Sequence, residues 1–281
     1  MNEPGNSNGT RRPLANIVIA AVIVVALACL IIPAIVTTRV NTRQMQCAYN
    51  IRQIALGLCN YGNIHKQFPT GTLRNEQLTL ESRLSWYVGA WQFVGDGQAE
   101  LLLDRQEGWN DPDNLISRIK FQEYNDQGVE DKDITVDYSP SFFRCPDLEP
   151  AIRFGNLVQT AYVGPSGVGQ ESLISKETRP HDGIWGYDRS TAIDQICDSL
   201  DKTLLLLETS VKNGPWTAGR PPTVREIEET DLPAFGIGRQ FGGLHAGITN
   251  VAFADGSAKP LNDDIDMTVL VELVRVCDAE E

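Results

Sequence analysis

From Ile17 to Val36 the chain reads IVIAAVIVVALACLIIPAIV, twenty residues without a charge or a strongly polar side chain. At about 1.5 Å per residue, a helix of that length spans about 30 Å, one hydrocarbon thickness. A signal peptide has a shorter apolar core, about 7–15 residues, and small residues at its cleavage site. Here VTTRVNTRQMQC follows, so the pattern predicts a retained membrane span. Pro33 lies close to its outer end, where a local kink is tolerated. Beyond the run, Met45, Ile51, Ile54, Ala55, Leu58 and Tyr61 or Gly62 recur at spacings of three and four, the period of an amphipathic helix. Gly62, Asn63 and Pro69 end it. The expectation is one long helix over residues 14–62, its first half in lipid and its second half laying an apolar stripe on a body formed by residues 63–281. Residues 1–13, polar and rich in Gly, Asn and Pro at the start, read as a disordered cytoplasmic tail.

Downstream the periods shorten. LSWYVGAWQFV, from Leu84, fits a strand or a buried helix, and WNDPDN, from Trp109, a turn or a helix start. VEDKDITVDYSPSFFRCP, from Val129, reads as an acidic loop, a short strand and a rigid exit. TAYVGPSGVG, from Thr160, reads as a strand entering a Gly-rich loop. DSLDKTLLLLETS, from Asp198, holds the most apolar internal run, short enough for a central strand. RPPTVREIEETDLPAFGIGRQFGG reads as a long irregular surface connection, and DMTVLVELVRVCDAEE, from Asp266, as a terminal helix, with a strand as the alternative because valine is frequent. These elements give an α+β fold: a long N-terminal helix packed on a mostly antiparallel sheet with long loops.

Charge narrows the partners. Formal net charge is -13, from 24 basic and 37 acidic residues, and no basic cluster exists to displace counterions from a nucleic acid. Nucleic acid is therefore not an expected partner; the lipid bilayer is. Orientation is not fixed by charge, because Arg11 and Arg12 precede the span while Arg39, Arg43 and Arg52 follow it.

The stretch GGLHAGITNVAFADGSAKPL, Gly242 to Leu261, carries one of three histidines. Val251 and Phe253 have the period of a half-buried strand, and Asp255-Gly256 suits a type I′ hairpin turn. Pro260 makes the return strand an edge. His245 then sits before the hairpin and Asp255 at its tip, too far apart for a direct pair.

The same stretch resembles the planctomycete-type family of pseudopilin-like proteins of unknown function, which join a prepilin-like N-terminal helix to a C-terminal signature of His, nine residues and Asp-Gly. His245, Asp255 and Gly256 match it. MQCAYNIRQIALGLCNYGNIHKQFPTG, from Met45, WNDPDN, FRCPD, AYVGPSG and TLLLLET follow in the family's order. The resemblance implies a pilin-like fold and a body outside the cytoplasmic membrane, single-pass, with other pseudopilin-like subunits as partners. The entry RRPLANIVIAAVI departs from the family, with no glycine before an apolar start and no glutamate at the fifth position of a processed chain. A permanently anchored, unprocessed relative is an equal expectation. Cys47 and Cys145 occupy family positions, and a disulfide between them would staple the helix to the body.

Two functions remain on this reading. One is a membrane-anchored structural or assembly protein of the cell envelope. The other is an anchored ligand-binding module whose loops, GIWGYD and NGPWTAGRPP, present Trp185 and Trp216. No G-x-S-x-G elbow, H-E-x-x-H or CxxC pair appears, so no catalytic residue is assigned and an enzyme is not expected. Asp255, Asp263, Asp264 and Asp266 are candidate calcium ligands, because Ca²⁺ takes loop carboxylates and carbonyls. Otherwise no cofactor is expected.

Overall fold

The computed structural model describes residues 11–95, 97–124, 130–149, 152–228, 230 and 233–277. Most of the expected N-terminal tail, residues 1–10, lies outside them, as does Val129. By compactness the chain divides into residues 1–45 and 46–281.

Helix α1, Arg11–His65, carries Pro33 within it. In the first unit its apolar side chains are exposed, among them Val22, Val24, Leu30 and Ile32. This helix is long and apolar enough to cross a membrane. Within the second unit the same helix is amphipathic. Cys47, Ile51, Ile54, Ala55 and Leu58 are fully buried, each large aliphatic side chain contributing about 1.5–3 kcal/mol. Of the stripe read from the sequence, Ile51, Ile54, Ala55, Leu58 and Gly62 are buried and Tyr61 half-buried, while Met45 is 65% exposed and falls in the first unit.

The short helices α2, Trp86–Gly89, and α3, Trp91–Val94, follow, resolving the LSWYVGAWQFV alternative in favour of helix. Strands β1, Glu100–Leu102, β2, Arg118–Tyr124, and β3, Glu130–Asp137, form an antiparallel sheet in that order. The acidic segment after residue 129 is thus strand rather than loop. It pairs with β2 through Lys120–Asp133 at 2.7 Å, and alternate side chains of such a ribbon can remain in water. Strands β4, Arg153–Phe154, and β5, Leu157–Val158, make a small hairpin.

The main sheet contains β6, Tyr162–Val168, β7, Leu204–Glu208, β8, Val224–Ile227, β9, Ile248–Phe253, and β10, Ala258–Asn262, ordered β10-β9-β7-β6-β8. All its pairs are antiparallel except β6 with β8. Helix α4, Glu171–Ile174, lies between β6 and β7 in sequence, and α5, Met267–Val274, follows β10. The run LLLL occupies the centre of this sheet and is buried throughout, as a strand covered on both faces must be. Leu205 and Leu206 join the core containing the α1 stripe. Leu204 and Leu207 join a second core with Phe235, Phe241, Leu270 and Val274.

Two expectations are corrected. The segment RPPTVREIEETDLPAFGIGRQFGG is not an irregular surface connection. It supplies β8 and buries Phe235 and Phe241, because the α5 side of the central strand needs apolar cover. The β9–β10 turn is also not type I′, which requires positive φ at both central residues. Only Gly256 has positive φ, at 84°, and Asp255 does not. Gly256 N–H donates to Phe253 O at 2.9 Å, and Phe253 N–H to Ser257 O at 2.9 Å. These bonds define a three-residue loop with glycine in the left-handed position.

Candidate functional site

His245 is brought to its place by backbone. Gly242 N–H donates to Glu208 O at 2.7 Å and Ser210 N–H to Gly242 O at 3.0 Å, pinning the glycine segment beside the end of β7. Gly242 has φ 74°, and a Cβ there would lie 2.1 Å from Thr249 Oγ1, so only glycine fits. Three residues later His245 turns inward, 6% exposed.

Side chains from three segments converge on its ring. Glu208, the last residue of β7, places Oε1 at 3.5 Å from His245 Nε2, and its Oε2 accepts from Asn250 N–H at 3.0 Å. Asp147 Oδ2 lies 3.4 Å from Nδ1. Cys145 Sγ lies 3.6 Å from Nε2. Cys145 is disulfide-bonded to Cys47 of α1, across 98 residues of sequence. Cys47, Cys145 and Glu208 are fully buried. Tyr162, opposite Glu208 in the β6–β7 register, donates its hydroxyl to Cys47 O at 3.3 Å. Burial, and then the Glu208 charge, holds that phenol well above its ordinary pKa.

Burial by itself would discharge His245, but the bond and charge of Glu208, with the charge of Asp147, outweigh it and raise the imidazole pKa. The arrangement favours the protonated ring. It also presents sulfur, nitrogen and oxygen donors to one point: ligand atoms of Cys47, Cys145, Glu208 and His245 all lie within 4.8 Å of one another.

The disulfide implied by the resemblance, Cys47–Cys145, is present, and Cys197–Cys277 is a second. Cys29 and Cys59 are free. The other signature residues lie elsewhere. Asp255 Oδ1 accepts from Ser257 N–H at 2.8 Å, closing the hairpin tip, and Gly256 follows it. His65 packs tilted against Tyr61, ring centroids 4.2 Å apart, and His181 is exposed.

The calcium set and the aromatic groove are both corrected. Asp255 sits at one end of β10 and Asp263, Asp264 and Asp266 at the other, a strand length of roughly 16 Å. No single cation bridges that distance. Asp263 instead accepts from Thr249 Oγ1 at 2.8 Å, and Asp266 caps α5 through Thr268 N–H at 2.8 Å. Trp185 and Trp216 line no groove, since both are fully buried. Trp185 packs at 4.8 Å on Trp86, and Trp216 at 5.7 Å on Trp91. Flat apolar rings flanking β6 were worth more as core than as surface.

Asp147 and Glu208 were not singled out from the sequence. Both stand in stretches that were, FRCPD and TLLLLET. A carboxylate ending an otherwise apolar central strand is the signal that marks Glu208, because such a charge is buried only with a partner.

Residues 37–233 match a family described as a protein of unknown function (DUF1559). Neither the curated proteins nor the solved structures contain a match to the chain.

Proposed function

The chain belongs to the DUF1559 family, and from that premise we propose that it is a membrane-anchored, pseudopilin-like structural or assembly protein of the cell envelope, its body outside the cytoplasmic membrane. The observation that carries this reading is the division of labour along α1. The large apolar side chains described between Ile17 and Val36 are exposed, and its buried stripe begins at Cys47. An exposed apolar helix surface of that length has bilayer as its natural solvent. Two disulfides support an oxidising compartment for the body. The His-x₉-Asp-Gly signature supports the pseudopilin-like assignment through what its ends touch. His245 lies against the Cys145–Cys47 bond, and Gly256 lies against Leu56 and Cys59 of α1. On this reading the signature is a device that fixes the anchor helix to the sheet, not a reaction centre. Partner subunits of the same type would meet along the lipid-embedded helix.

The test is carbonate extraction of membranes followed by protease treatment of spheroplasts. Retention in the pellet with digestion of the body is the expected pair of results. Release into the supernatant removes the anchor, and a protease-resistant body places it in the cytoplasm.

A further inference from the structure

The donor set around His245 contains more than a structural ion pair requires. Glu208 Oε1 is buried and, at 3.5 Å from His245 Nε2, has no hydrogen bond of normal length. When the ring is unprotonated at Nε2 this oxygen faces no donor, and a cation shared by the two atoms satisfies both. Its neighbours are two cysteine sulfurs and an imidazole nitrogen, the ligand types of tetrahedral zinc sites.

We propose that Cys47, Cys145, His245 and Glu208 form a Zn²⁺ site in the dithiol form of this protein, with metal and disulfide as alternative closures of one centre. Bonds of about 2.0–2.3 Å to a tetrahedral zinc ion imply ligand–ligand edges of about 3.3–3.8 Å. Two edges already have that length: Nε2 to Cys145 Sγ at 3.6 Å, and Nε2 to Glu208 Oε1 at 3.5 Å. The sulfur pair must separate by rotation of two side chains, and the remaining donor atoms, all within 4.8 Å of one another, must close to tetrahedral edges. Asp147 supports the ring from behind. Its Oδ2 at 3.4 Å from Nδ1 favours the tautomer with the proton on Nδ1 and the lone pair on Nε2, aimed at the sulfurs. A carboxylate behind a ligating histidine is the usual support for zinc. Asn250 N–H, at 3.0 Å from Glu208 Oε2, leaves Oε1 as the free donor.

The exchange balances. The chain is synthesised with thiols, which lose two protons on binding Zn²⁺. A disulfide donor then oxidises the pair: two electrons pass from the thiolates to the donor disulfide, a Cys47–Cys145 bond forms, the donor leaves as a dithiol with two protons, and Zn²⁺ is released. The metal thus holds α1 against the body before oxidation, and the disulfide holds it afterwards. This inference does not depend on where the protein is anchored.

The test uses the full chain in detergent, reduced with a water-soluble phosphine, freed of metal and titrated anaerobically with Co²⁺. The expected result is a single Co²⁺ per chain, with thiolate-to-cobalt charge-transfer absorption and the strong visible bands of a tetrahedral ion. Neither feature appears in the disulfide form. The spectrum survives Cys197→Ser/Cys277→Ser and is lost in Cys47→Ser/Cys145→Ser. His245→Gln and Glu208→Gln each weaken binding by about tenfold or more. In the wild type, at a denaturant concentration that lets reagent reach the buried Cys47 and Cys145, Zn²⁺ slows their alkylation and leaves that of Cys197 and Cys277 unchanged, a readout that needs no variant to fold. Absence of thiolate–cobalt absorption overturns the proposal. So does a spectrum that persists without Cys47 and Cys145, or protection that falls on Cys197 and Cys277 instead.

Discussion

Gly256, at the tip of the β9–β10 hairpin, sits directly against Leu56 of α1: a Cβ on the glycine would come within 2.8 Å of Leu56 Cδ2 and 3.4 Å of Cys59 Sγ. The neighbouring Ala254 carbonyl accepts from Cys59 Sγ at 3.1 Å. The hairpin tip therefore packs its backbone on the Leu56 and Cys59 side chains, and Gly256 is also held at φ 84°. The left-handed backbone demands glycine here, and the Leu56 methyl would have to swing aside for any Cβ. Gly256→Val is expected to destabilise by more than about 3 kcal/mol, combining overpacking with backbone strain. Asp255→Ala, which removes one bond to Ser257 N–H, should cost about 1 kcal/mol. Thermal melts of the two variants check the order. Pairing Gly256→Ala with Leu56→Ala should recover the crowding part and leave the φ strain.

His245 gives the protein a pH dependence of known sign. Its folded-state pKa is raised above the ordinary value, burial being outweighed by Glu208 and Asp147. A raised pKa means that the stabilisation is complete below the unfolded value, about 6.5. It is lost as pH rises through the higher folded value. The wild type should therefore be more stable than His245→Gln by about 1–3 kcal/mol at mildly acidic pH, with the gap closing toward alkaline pH. Denaturant melts of both proteins across that range measure it. A gap that widens with pH contradicts the triad.

Cys59 should be inert in the folded protein. Burial, and then the Asp255 charge, pushes its thiol up to about 11, so almost no thiolate exists at neutral pH. Alkylating reagent at neutral pH is expected to leave Cys59 unmodified until denaturant is added, as peptide mapping will show. Asp255→Ala should speed the native reaction modestly, because it removes the smaller of the two causes.

A buried ion pair ties the segment before β7 to itself. Arg189 NH1 lies 3.1 Å from Asp182 Oδ2, both side chains 1% exposed. The same guanidinium donates to Ser172 O and Gly183 O, each at 2.9 Å. Asp182→Asn leaves this cation uncompensated and should cost about 3–5 kcal/mol. The more exposed Arg74–Glu76 pair should cost less than about 1 kcal/mol when broken. Chemical denaturation of the two variants compares them.

The sequence by itself determined what depends on local period and on residue chemistry. Twenty apolar residues followed by spacings of three and four specified α1 and its buried face. LLLL between polar flanks specified a central strand, and the apolar alternation after His245 specified a hairpin. Asp-Gly located its turn. The turn type escaped, because Asp-Gly serves two loop lengths, and only the Phe253–Ser257 and Gly256–Phe253 bonds distinguish them. Tertiary structure alone decided which distant residues share a centre. Asp147, Glu208 and His245 come from three separated segments, and nothing in their spacing announces that β7 pairs with the glycine segment behind His245. It also decided that Trp185 and Trp216 are core and that the four aspartates divide between two ends of a strand. A loop tryptophan and a loop aspartate look alike in sequence whether or not a sheet covers them. Phe235 and Phe241 were hidden for the same reason: their segment has no period, and the far face of β7 is what buries them.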